Sequence, residues 1–136
     1  MVILAFALLT SAVSKQAGAE QLKRWQGYDI HYTTFPSTLL PADIARVHNI
    51  TRASNRVVTN VSVRKDNAPV KVSVTGSVTN LINQQFELKF EEVMERDAVY
   101  YLASQIVDEK DTLRFSINIQ PPDNEAYVLE FVRQYY

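Results

Sequence analysis

From Asn55 to Thr75 apolar and polar positions alternate with a period of two. Val57, Thr59, Val61 and Val63 share one parity, with Val58, Asn60 and Ser62 on the other. After Lys65-Asp66-Asn67-Ala68-Pro69 the code restarts as Val70, Val72 and Val74 against Lys71, Ser73 and Thr75. Successive strand side chains point to opposite faces, so this pattern predicts strands with one face in a core. Valine and threonine are stiff at χ1 and pack well on a pleated surface, which favours the same reading. Phe86, Leu88 and Phe90 against Gln85, Glu87, Lys89 and Glu91 predict a third strand. Short polar turns cannot join parallel strands, so the three runs predict an antiparallel meander.

Further strands follow from the same code. Tyr28, Ile30 and Tyr32 oppose Asp29, His31 and Thr33 in a first strand entered through Gly27 and ended at Pro36. Asp97 to Gln105 is apolar or aromatic on both parities, as in a strand with few wet faces. Asp108-Glu109-Lys110-Asp111 reads as a charged loop, after which Leu113, Phe115, Ile117 and Ile119 mark another strand, and Tyr127, Leu129 and Phe131 the last. Only between Ser37 and Asn49 does the period change, with Leu40, Ile44 and Val47 at helical spacing. Pro41 suits the first helical position, Asp43 complements the positive helix end, and Asn49 suits the C-terminal cap. This short helix is expected to plug one open end of the sheets. The fold class is all-β: an immunoglobulin-like antiparallel β-sandwich of about seven strands with one short helix.

Residues 1–19 read as a cleavable signal peptide. Val2 to Val13 is almost continuously apolar, too short for a bilayer span of roughly 20 residues. Ala17-Gly18-Ala19 is a small-x-small cleavage pattern, although no Lys or Arg precedes the apolar run. Residues 20–136 are then a single β-sandwich domain, exported to the periplasm, with no membrane span in the mature form. A formal net charge of −1 gives no electrostatic case for nucleic acid. The chain has no cysteine, which excludes disulfides, thiolate metal sites and a cysteine nucleophile.

Candidate chemistry is sparse. His31 and Asp29 share a strand face roughly 7 Å apart and suit an oriented base or two metal ligands. A catalytic zinc wants three protein ligands, and no Gly-x-Ser-x-Gly elbow is present. A half-buried histidine with one hydrogen bond explains His31 as well. Arg52 and Ser54 occupy a loop returning towards the first strand. Arg52 either receives a ligand carboxylate or phosphate or, paired with Asp29, clamps the helix segment to the sheet. Asn49-Ile50-Thr51 and Asn60-Val61-Ser62 match the glycosylation pattern, but Asn60 lies mid-strand, where it reads as a polar-face residue. Trp25, Phe35, Tyr100, Tyr135 and Tyr136 either form a partner patch or cover the sandwich ends.

Several stretches resemble one family. These are Gly27-Tyr28-Asp29-Ile30-His31-Tyr32, Asn60-Val61-Ser62-Val63, Phe90-Glu91-Glu92-Val93, Ala98-Val99-Tyr100-Tyr101-Leu102-Ala103 and Leu113-Arg114-Phe115. Together they are similar to the proteobacterial exported domain-of-unknown-function family 4426, across nearly the whole mature chain. The resemblance implies export to the periplasm and an antiparallel β fold, and it implies no activity. More loosely, the chain resembles immunoglobulin-like modules of exported bacterial proteins, a likeness of fold alone.

These observations point to a non-enzymatic periplasmic binding or accessory module with an envelope protein partner, no cofactor and no catalytic residues. The alternative is a small-ligand or metal-binding protein. Its candidate ligand residues are Tyr28, Asp29, His31, Arg52, Ser54 and Asn60, with no metal ligand set complete.

Overall fold

The structure is a computed structural model, and it describes residues 20–108 and 110–135. The expected leader, residues 1–19, lies outside the described residues, as does Tyr136. Two antiparallel sheets pack face to face. The larger is ordered β1 (Gln21–Trp25), β2 (Tyr28–Pro36), β3 (Arg56–Lys65), β8 (Ala98–Ile106), β7 (Glu91–Glu95), with the two-residue β4 (Ala68–Pro69) also paired to β3. The smaller is ordered β10 (Tyr127–Tyr135), β9 (Asp111–Gln120), β5 (Ser73–Thr79), β6 (Gln85–Leu88). A 3-10 turn (Ser37–Leu39) and helix α1 (Ala42–Val47) lie between β2 and β3.

The layer between the sheets follows the alternation. Tyr28, Ile30, Tyr32, Val61, Val63 and Tyr101 meet Leu113, Phe115, Ile117, Ile119 and Leu129, all buried. Each fully buried large side chain contributes about 1.5–3 kcal/mol. Phe131 stacks on Phe115, with ring centroids 4.6 Å apart, and leans on Tyr32 across the layer at 4.8 Å. The aromatics of uncertain parity are mostly covered: Phe35 is buried, and Trp25 sits 5.4 Å from Tyr127.

Four expectations change. The helix does not plug an end. Leu40, Ala45 and Ile50 cover Phe35, Val58, Val93 and Leu102 on the outer face of the larger sheet. That second apolar layer explains why β3 and β8 are buried on both parities. The helix ends in a Schellman motif: Ile50 N–H donates to Ala45 O at 2.8 Å, and Asn49 takes φ 54°. The second change is that the central runs are not one meander, since β3 lies in the larger sheet and β5 and β6 in the smaller. Asp66 and Asn67, with φ of 52° and 61°, turn the chain back on β3. After Pro69 that short ladder closes with Val70 N–H donating to Val63 O at 2.8 Å, and over Val70–Val72 the chain crosses between the layers. Third, ten strands are present among the described residues. The additions are β1, reversed into β2 by Gln26 and Gly27 at positive φ, the short β4, and a split of the Phe86–Glu91 run into β6 and β7. Alternation records which face a residue takes and not which sheet its strand joins. Lastly, Asp111, expected in a charged loop, is buried at the start of β9, where its Oδ1 accepts from the N–H groups of Leu81 and Thr112.

Two tyrosines tie the layers. Val72 N–H donates to the Tyr101 hydroxyl at 2.9 Å, and that hydroxyl donates to Glu92 Oε2 at 3.1 Å. Tyr135 donates to Thr34 Oγ1 at 3.3 Å. Burial raises both phenol pKa values above the ordinary value, and the Glu92 carboxylate adds to the effect on Tyr101. A raised folded pKa leaves stability intact below the unfolded value of about 10 and removes it as pH climbs through the folded value. The drop in unfolding free energy between about pH 9 and about pH 11 is therefore smaller in Tyr135→Phe than in wild type. Urea titrations at both pH values check this, and an equal drop contradicts it. At Gly76 an added Cβ meets Ser116 O at 2.9 Å and Ile117 Cα at 3.2 Å. Gly76→Ala is expected to cost about 1–3 kcal/mol, read from the urea midpoint, and an unchanged midpoint contradicts the close approach of β5 and β9.

Candidate functional site

The residues singled out from the sequence do not converge. Tyr28 points into the core, with Lys65 Nζ 4.8 Å above its ring. Asp29 and His31 lie on the opposite, outer face, as their parity requires. Asp29 does not pair with Arg52; its partner is Arg24 Nε at 3.4 Å, supplied by the strand β1 that alternation did not reveal. His31 Nδ1 lies 3.2 Å from Glu20 Oε1. Arg52 Nη2 donates to Thr38 O at 2.9 Å and so fastens one end of the loop to the other. Ser37 seals that loop from within, exchanging two 2.9 Å hydrogen bonds with the backbone of Ala53. Ser54 is exposed in the turn before β3. Asn60 is buried beneath the outer layer with no hydrogen-bond partner for its Oδ1. None of the six lines any of the three best-formed hollows among the described residues.

What the fold does bring together is a groove at the corner where the chain changes sheets. After Leu88 the backbone leaves the smaller sheet, and at Glu91 it joins the larger one as β7. β7 pairs with β8 from Glu95↔Ala98 to Glu91↔Leu102 and no further. Beyond that point β8 pairs only with β3, through Arg56↔Ile106. Among the described residues, 103–106 thus have a paired strand on one side and none on the other. Among the described residues β6 pairs only with β5, so it too lies at a sheet edge.

Two adjoining hollows follow these edges, of about 450 Å³ and about 330 Å³, and share Glu87 and Ser104. The first has Phe86 and Ile106, 41% and 50% exposed, as its apolar walls. Arg56, Asp108 and the buried Asp111 and Asn80 supply its polar groups. The second is bounded by the end of α1, where His48 Nδ1 lies 3.7 Å from Glu91 Oε1. Unpaired main-chain edges beside exposed apolar side chains suit the capture of an extended segment. Periodicity passed over these residues, but one signal was present. Phe86, Leu88 and Phe90 keep one parity while Val93 falls on the other, and this slip of phase marks the change of sheet.

Comparison with known proteins bears on the fold and the family. A DUF4426 family protein from Pseudomonas aeruginosa is similar, at 30% identity and a TM-score of 0.81, over 86% of this chain and 94% of that one. A copper-bound variant of FetP from uropathogenic Escherichia coli has a TM-score of 0.64 at 10% identity, over 85% of this chain and 93% of its own, a likeness of fold alone. No curated protein matches the chain. Residues 22–136 match the family model described as a domain of unknown function, DUF4426. With a solved relative sharing both sequence and fold over most of both chains, this protein belongs to the DUF4426 family.

Proposed function

We propose that the protein is a non-enzymatic periplasmic module that binds another envelope component through the groove between β6 and β8. The observation that carries this reading is the pair of unpaired strand edges, residues 103–106 and β6, lining adjoining hollows walled by Phe86 and Ile106. Hollows of this size lie within the range that small ligands and peptide side chains occupy. The periplasmic setting is supported by the leader pattern of residues 1–19. Among the described residues no helix is long and apolar enough to cross a membrane.

A metal-binding reading draws on the copper-bound FetP variant, but that protein is only 10% identical to this chain. Among the described residues no three His, Asp or Glu side chains gather where one ion could be held. The groove is the better supported site.

Site-specific photo-crosslinking in cells tests the proposal. A benzophenone side chain placed at Phe86 or at Ile106 is expected to capture the same envelope protein. The same group at Val128, 51% exposed on the outer face of the other sheet, captures none. No adduct from either groove position, or equal capture from all three, overturns the reading.

A further inference from the structure

The groove has a shape that specifies more than a surface for binding. β7 runs antiparallel to β8 and would, if it continued past Glu91, lie beside Ala103, Ser104, Gln105 and Ile106 in turn. The chain instead leads back into β6, so among the described residues no strand pairs with these four on that side. The position is about 13 Å long at the usual rise of roughly 3.3 Å per strand residue.

Parity sets what each side of an incoming strand meets. Tyr101 and Ala103 face the core between the sheets, while Leu102 belongs to the outer cluster under α1. Ser104, on the outer parity, borders the hollow beside His48, and Gln105 follows Ala103 on the inner one. Side chains of the added strand therefore alternate between an inner side, towards Phe86 and Gln105, and an outer side bordered by Ser104 and Ile106. Of the charged groups that line the two hollows apart from the buried Asp111, Glu87, Glu91 (beside His48) and Asp108 outnumber Arg56 and Lys89, so the rim is acidic on balance.

We infer that the groove accepts an extended, basic peptide segment of a partner protein, which adds to β8 as an antiparallel strand in the place β7 vacates. Main-chain hydrogen bonds to residues 103–106 supply affinity, alternate apolar side chains pack towards Phe86, and Lys or Arg at the flanks meets Glu87 and Asp108. This rests on the binding-module reading above and names the chemistry of its partner.

A peptide selection tests it. Random twelve-residue peptides displayed on phage are panned against the purified chain and against the Glu87→Lys/Asp108→Lys double variant, whose changes fall on exposed side chains. The expected outcome is enrichment of peptides alternating β-branched with Lys or Arg residues. Their binding should weaken by about tenfold in the double variant and fade with added salt. Nuclear Overhauser contacts between an enriched peptide and the backbone of Ala103–Ile106 complete the support. Enriched peptides that bind the double variant equally, or that contact β1 or β10 instead, overturn the strand-addition proposal. So does a selection that enriches nothing, and if crosslinking from Phe86 and Ile106 still succeeds, the binding-module reading survives. Failure of both experiments removes the two together.

Discussion

Between Leu88 and Glu91 the backbone must pass from one sheet to the other, and that crossing decides the character of this corner. A strand that stayed in the larger sheet would have paired β8 along its whole length. Because it departs, residues 103–106 keep a one-sided ladder, and β6 becomes an edge. The earlier crossing, Val70–Val72, is fixed to the same region. Tyr101 on β8 accepts from Val72 N–H and donates to Glu92 on β7, and Lys71 Nζ lies 3.7 Å from the other oxygen of that carboxylate. A typical hydrogen bond of this kind is worth about 0.5–1.5 kcal/mol net. The Val70–Val72 passage is thus anchored on β7 and β8, the strands of the larger sheet that border the groove.

Much of the fold was legible in the sequence because one face of nearly every strand had to be dry. Tyr28, Ile30 and Tyr32, and likewise Leu113 to Ile119, lie inward as their parity requires. The two-sided burial of β8 was readable from Ala98-Val99-Tyr100-Tyr101-Leu102, although its cause, a helical segment over the outer face, was not. Three features escaped for physical reasons. β1 is largely exposed, so its residues carry no core signal. The assignment of strands to sheets depends on pairing partners that alternation does not encode. The place of α1 depends on Val58 and Val93, which sit on the polar parities of their own strands, and on Leu102, in a strand apolar on both.

The candidate site was less legible still. Asp29, His31 and Arg52 looked like chemistry because they are ionisable, yet each is occupied locally, by Arg24, Glu20 and the Thr38 carbonyl. The groove offers backbone edges and ordinary side chains such as Ser104 and Ile106. A surface that recognises through main-chain hydrogen bonds needs no particular residue type at most positions, and so leaves little mark on the sequence. Membership of a family defined without an assigned activity is compatible with a site of that kind.

The account turns on whether β8 is paired on both sides only as far as Leu102. Amide hydrogen exchange on the free chain, resolved residue by residue, measures this directly. Uniformly slow exchange is expected from Val99 to Leu102. From Ala103 to Ile106 slow amides directed at β3 should alternate with fast ones directed at the vacant position. Uniform protection through Ile106 would mean that the open edge does not exist in solution, and the binding site drawn from it would go with it.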